Sequence, residues 1–167
     1  GALVPEGRQL FADLTVDDNL RLGAWRRKDR RTDRIYDLFP DLHRLRSARA
    51  GNLSGGQQQM VSIGRALMAE PDLLVIDELS LGLAPMVVAE LAEYLSALNR
   101  DQRVAILLIE QEVGLAFDLC ARGYVMEAGR IALSGPTEML KMDDHVRAVY
   151  FGGMQERTSD AESSDER

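Results

Sequence analysis

The spacing of apolar residues changes character several times along the chain. Met60, Ile63, Gly64, Leu67 and Met68 recur at three- and four-residue intervals, the stripe of an amphipathic helix that Ser54 opens and Pro71 stops. Two stretches, 72–76 (apolar from Leu73) and the unbroken apolar run 104–109, are too short and too β-branched for helices and predict strands. Between them a helix is expected over about 85–98. Beyond them the pattern predicts a helix over 113–121, then short strands at 123–127 and 130–134 around Ala128-Gly129, and a helix opened by Pro136. Strand, helix, strand with fully apolar strands predicts a parallel sheet covered on both faces.

Upstream the pattern differs. Gly1 to Val4 reads as the remnant of a strand and Pro5 to Arg8 as a loop. Thr15 is placed to cap a helix running through Leu22, with Asp17 and Asp18 in its first turn. Ile35 to Phe39 continues as helix until Pro40 interrupts it. Residues from about 14 to 50 therefore form a helical block with no strand candidate. Within it, Arg26 to Arg34 carries six basic and two acidic residues. Such a run reads as a solvated helical face, the alternative being contact with a partner or with lipid headgroups. Residues 153–167 are rich in Ser, Asp and Glu and predict a disordered acidic tail after a domain spanning 1–152.

Composition narrows the function. The length suits one domain, and the longest apolar run, Val104 to Ile109, falls far short of the roughly 20 residues of a membrane span. A net charge of -7 argues against nucleic acid as the main partner. Cys120 is the only cysteine, so no internal disulfide forms and a reducing compartment suits the chain. His43 and His145 lack metal-binding neighbours, which makes a zinc site improbable.

Two segments carry chemistry. In Leu53-Ser54-Gly55-Gly56-Gln57, two glycines allow close backbone approach and a helix start offers unpaired N–H groups, together a phosphate site. The bland alternative is N-capping by Ser54. Leu73-Leu74-Val75-Ile76-Asp77-Glu78 is an apolar strand ending in two carboxylates, and ligands of open parallel sheets bind outside those strand ends. One carboxylate can help hold Mg²⁺ while its neighbour activates water. Neighbours on a strand point to opposite faces, so they share a task only if the strand ends there.

At this point the chain resembles the ATP-binding cassette proteins, from residue 1 to about 152. Leu53 to Gln57 looks like their signature motif and Leu73 to Glu78 like their Walker B strand. Val4-Pro5-Glu6-Gly7-Arg8, Thr15-Val16-Asp17-Asp18-Asn19-Leu20, Ser80-Leu81-Gly82-Leu83-Ala84-Pro85 and Ile109-Glu110-Gln111 are similar to the LivF-type branch, an ATPase subunit of branched-chain amino-acid importers. The resemblance implies an α/β fold of the P-loop NTPase (RecA-like) kind with a helical subdomain, and ATP and Mg²⁺ as ligands. It implies that Asp77 binds Mg²⁺ and that Glu78 is the general base. Ser54, Gly55, Gly56 and Gln57 would grip ATP held by a second, head-to-tail ATP-binding subunit. Glu6 stands in the Q-loop glutamine place, toward nucleotide and metal, and Gln111 in the switch-histidine place. Bland readings remain beside these: Glu6 as a loop charge, Gln111 as a polar helix start. Ala84 replaces the D-loop aspartate of many relatives, and Leu79 replaces the usual proline without a reason legible in the sequence.

The P-loop itself is missing: Lys28 follows Arg27 and Lys141 follows Leu140, so no Gly-Lys pair exists. The expectation is a chain that begins partway into the domain, exposes apolar sheet surface, dissolves poorly and hydrolyses little ATP alone. The implied setting is peripheral, on the cytoplasmic face of the plasma membrane, with transmembrane permease subunits. Urea or amide importers, soluble cassette proteins and an inert gene remnant are the competing readings.

Overall fold

The computed structural model describes residues 1–151. They fall into two compact units, one formed by Gly1–Gln111 and one beginning at Glu112. The predicted tail at 153–167 lies outside the described residues.

The first unit is built on three parallel strands in the order β1 (Ala2–Val4), β2 (Leu73–Asp77), β3 (Ala105–Ile109). The register pairs Leu3 with Val75 and Val75 with Leu107, so these three share one face. Val4, Leu74 and Ile76 point the other way and are completely buried. Coverage on both faces is not what the structure shows. Leu3 is 58% exposed, Leu107 47% and Ile109 48%, because no described element covers that side. The expectation of exposed apolar sheet surface is met.

Between β1 and β2 runs the helical block: α1 (Val16–Gly23), α2 (Asp33–Leu38), α3 (Pro40–Arg44), a 3₁₀ turn (Ala50–Asn52) and the long α4 (Gly55–Leu67). Thr15 caps α1 by accepting from the Asp18 N–H. Pro40, at the first position of α3, ends α2 and starts its successor without losing a needed N–H. An isolated antiparallel bridge, Thr15 to Arg49, ties the ends of this block together, flanked by backbone hydrogen bonds from the Val16 N–H to the Ala48 carbonyl and from the Ala50 N–H to the Leu14 carbonyl. Arg26 to Arg34 is solvated but not a helical face: the chain turns at Ala24 to Arg26 and becomes helical again only at Asp33.

Close helix packing rests on glycine. A Cβ on Gly23 would stand 1.8 Å from the Arg65 carbonyl oxygen, so α1 reaches the backbone of α4 only because no side chain intervenes. Buried Asn19 locks the approach to α1 by accepting from Phe11 N–H and donating to the Phe11 and Thr15 carbonyls. Helix α5 (Pro85–Gln102) then carries the chain from β2 to β3. It buries Val88, Leu91, Leu95 and Leu98 and ends on Arg103 in the left-handed region.

The second unit holds α6 (Val113–Leu119), the antiparallel hairpin β4 (Arg122–Glu127) and β5 (Arg130–Pro136), α7 (Thr137–Leu140) and α8 (Asp144–Val146). Ala128 and Gly129, with φ of 45° and 76°, make the tight turn that matches strand twist. Phe117, Val125, Leu140 and Val146 form its small core.

Candidate functional site at the carboxyl ends of the parallel strands

All three parallel strands end at the same edge, and each runs straight into polar residues. Glu6 follows β1 by two residues, Asp77 closes β2 with Glu78 next, and Glu110 and Gln111 follow β3. Strand β2 ends at Asp77, so the alternation that would have sent the two carboxylates to opposite faces stops there. Glu78 instead takes φ = 56°, the left-handed region, and its N–H donates to the Ile109 carbonyl at 2.9 Å. A non-glycine residue held so costs about 1–3 kcal/mol and persists only where its surroundings impose it.

Those surroundings come from the end of β3. Gln111 Nε2 donates to Glu78 Oε1 at 2.5 Å. Next to it, Glu110 accepts from both the backbone N–H of Ser80 at 2.8 Å and its hydroxyl at 3.0 Å. Two successive residues of one strand end thus grip two residues of the loop after another. Leu79, between the gripped residues, is completely buried and anchors the loop in the core. That burial accounts for an apolar side chain at 79, and nothing in the structure explains leucine in place of proline. Glu78 itself is only partly buried, open enough for its carboxylate to meet a ligand.

The Ser54–Gln57 segment forms a reciprocal cap on α4. Ser54 Oγ accepts from the Gln57 N–H at 3.3 Å, and Gln57 Oε1 accepts from the Ser54 N–H at 3.0 Å. The capping geometry occupies Ser54 and Gln57, the second and fifth residues of the motif, and leaves the first-turn amides of Gly55 and Gly56 as the donors without side-chain partners. The two glycines differ in environment. Gly55 is half-buried, with Leu83 and the Arg8 guanidinium nearby, whereas Gly56 is buried and a Cβ there would meet Val87 Cγ1 at 2.5 Å. Gly56 is therefore required by the packing of α4 against α5, a need the motif alone did not disclose.

Arg8 connects these parts. Its Nε donates to Gln59 Oε1 at 3.2 Å and its NH2 to the Leu81 carbonyl at 3.0 Å. Its own carbonyl accepts from Ser62 Oγ and from the Arg65 guanidinium, which also reaches the Gln9 carbonyl. Burial pushes the Arg65 pKa down from its ordinary value. Gly7, Arg8 and Gln9 all have positive φ, so α4 holds the turn after β1 in a conformation it would not keep alone. The sequence marked Arg8 only as part of a resemblance and gave Glu110 no role.

The structure does not bring everything together. Glu6 is exposed and makes no side-chain hydrogen bond or ion pair among the described residues. No hydrogen bond or ion pair there links Ser54–Gln57 to Asp77 or Glu78. Among the described residues no group of three or more His, Cys, Asp or Glu converges as a ready-made metal cage. A single carboxylate with water and phosphate oxygens completing the shell is the habit of Mg²⁺, and Asp77 at the strand end suits it. A polar hollow of about 450 Å³ lies elsewhere, in the helical block, bordered by Asp17, Tyr36 and His43.

Ala84, in the D-loop aspartate place, is the N-cap of α5 and makes no side-chain cap bond. Cys120 is half-buried, and burial raises its thiol pKa above the usual value.

The chain is similar to known proteins in sequence and in fold. Residues 2–80 match the ABC transporter family. The chain is 44% identical over 156 residues to the high-affinity branched-chain amino acid transport ATP-binding protein BraG of Pseudomonas aeruginosa, covering 91% of this chain and 66% of that protein. It is 34% identical over 155 residues to the probable branched-chain amino acid transport ATP-binding protein LivF of Archaeoglobus fulgidus, covering 90% and 66%. The chain thus spans about two thirds of the length of these relatives. Among solved structures, an ATP-binding subunit of an ABC transporter superposes with a TM-score of 0.70 at 27% identity, covering 95% of this chain and 68% of that one. A nucleotide-free ATP-binding cassette from an ABC transporter gives 0.73 at 25% identity, covering 89% and 67%. The chain belongs to the ATP-binding cassette family of ABC transporters.

Proposed function

We propose that this chain is the catalytic part of an ATP-hydrolysing subunit that drives import of branched-chain amino acids. The observation that carries the reading is the Gln111–Glu78 hydrogen bond at the end of β2, which aims a half-buried carboxylate outward from the sheet edge. The identity to BraG supports the choice of cargo over urea and amides.

ATP would supply the phosphoryl group transferred to water, and Mg²⁺, when bound, would supply neutralising charge. Asp77 would hold the metal, with Glu6 accepting from water around it. Glu78 accepts the proton of the attacking water as general base, and the amide of Gln111 holds the Glu78 carboxylate in place for that task. An amide serves here because it both donates and accepts without needing to change protonation. Ser54, Gly55, Gly56 and Gln57, at the start of α4, would supply hydrogen-bond donors and helix-dipole charge to ATP held by a second ATP-binding subunit arranged head to tail. Transmembrane permease subunits are the coupled partners, with this subunit in the cytoplasm, peripheral on the inner face of the plasma membrane. Residues 14–50 are the helical subdomain, within one cassette domain of 1–152.

The test uses the full-length subunit assembled with its permease. Glu78→Gln is expected to retain ATP while hydrolysis and leucine uptake are lost. Turnover unchanged by Glu78→Gln removes the base from its role, and uptake of urea in place of leucine reassigns the cargo.

A further inference from the structure

Cations outnumber carboxylates on the turn that follows α1. Some are already engaged: Arg27 and Arg34 both pair with Glu70, and Arg31 pairs with Asp29 at 2.8 Å. Arg26, Lys28 and Arg30 meet no carboxylate among the described residues and are exposed. Beside them Trp25, the only tryptophan of the chain, is 69% exposed, with the Arg30 guanidinium 5.6 Å from its ring centroid. This concentration stands out on a protein of net charge -7.

We propose that the turn from Trp25 to Arg31 is a docking surface for an anionic phospholipid bilayer. None of these three cations gives up an ion pair when it meets phosphate headgroups; Arg30 exchanges only a 3.4 Å hydrogen bond to the Trp25 carbonyl and its contact with the Trp25 ring. An exposed indole is the side chain that bilayer interfaces favour, its apolar body in the acyl boundary and its N–H in the headgroups. A bilayer surface also asks for no matched cavity, and a convex turn offers none. Arg31 adds no free charge to the patch, because its fork is held by Asp29, whose carboxyl it keeps low at about 2. The proposal does not depend on the ATPase reading, since nucleotide plays no part in it.

Because Trp25 is the single tryptophan of these 167 residues, its fluorescence reports the contact directly. The chain is mixed with phosphatidylglycerol vesicles and with phosphatidylcholine vesicles, and Trp25 emission and cosedimentation are followed. Expected are a blue shift and cosedimentation with phosphatidylglycerol alone, fading toward 1 M salt as the Debye length falls from about 8 to about 3 Å. Arg26→Glu, Lys28→Glu and Arg30→Glu together are expected to weaken partitioning by at least on the order of a hundredfold. The same variant should keep the urea midpoint of the parent, which separates lost docking from lost folding. Binding equal on both vesicle types, or undiminished in the triple variant, overturns the proposal and points to the apolar sheet face instead. A spectrum unmoved by phosphatidylglycerol but shifted by polyglutamate overturns it in favour of an acidic protein.

Discussion

Gln111 donates its side-chain amide to the carboxylate of Glu78 at 2.5 Å, across 33 residues of chain. A hydrogen bond to a charged group contributes about 1.5–3 kcal/mol. Spread over a general base that must aim at one water, that magnitude corresponds to roughly 10–100-fold in rate. In the full-length subunit, Gln111→Ala is therefore expected to lower ATP turnover by that factor while nucleotide affinity stays within about twofold. Steady-state kinetics and equilibrium nucleotide binding separate the two effects. Equal loss of both would show that Gln111 acts on binding rather than on Glu78.

The turn after β1 depends on Arg8 in a comparable way. Arg8→Ala leaves the Leu81 carbonyl and buried Gln59 without their donor, and a loss of about 1–3 kcal/mol in unfolding free energy is expected from denaturant titration. Arg8→Lys keeps the charge but cannot reach both acceptors with a planar fork, so it should recover less than half of the loss. Full rescue by lysine would mean that charge, not geometry, holds the turn.

Gly56 is predicted to be intolerant for a packing reason. Gly56→Ala places a methyl 2.5 Å from Val87 Cγ1, and overpacking of this kind costs about 1–3 kcal/mol. Adding Val87→Ala should return most of the lost stability, a coupling that a double-mutant cycle measures directly. Additive effects of the two changes would place the cause elsewhere, in the helix propensity or cap of α4.

Ala84 offers a change in the opposite direction. As an N-cap with no side-chain bond, replaced by aspartate, it should accept from the first turn of α5 and complement the helix dipole, raising stability by about 1 kcal/mol. A thermal midpoint that fails to rise would indicate that the backbone of Ser80 to Ala84 cannot present the carboxylate to the helix.

Much of this was legible in the residues themselves. Ser54 and Gln57 stand three apart before an apolar stripe, and that spacing alone specifies the cap and the start of α4. Leu73 to Asp77 could only be a strand, because its β-branched run is too short for a helix. Such features are local: each depends on hydrogen bonds or periodicity within a few residues. The apolar strand ending in two carboxylates was also enough to single out Asp77 and Glu78, whereas Gln111 came only from the family resemblance.

What the sequence determined by itself is therefore the list of elements and the identity of the polar residues at their ends. Tertiary structure alone decided that Glu78 turns left-handed, that Glu110 holds Ser80, that Leu79 is an anchor, and that Arg8 reaches a carbonyl 73 residues away. It also left one face of the sheet bare where a run of apolar residues had predicted cover on both, and it opened the basic segment Arg26 to Arg34 into a turn. The physical reason is the same throughout. Periodicity encodes which side of an element is apolar, whereas the partner of a side chain is set by how separate strand ends and helices meet in space.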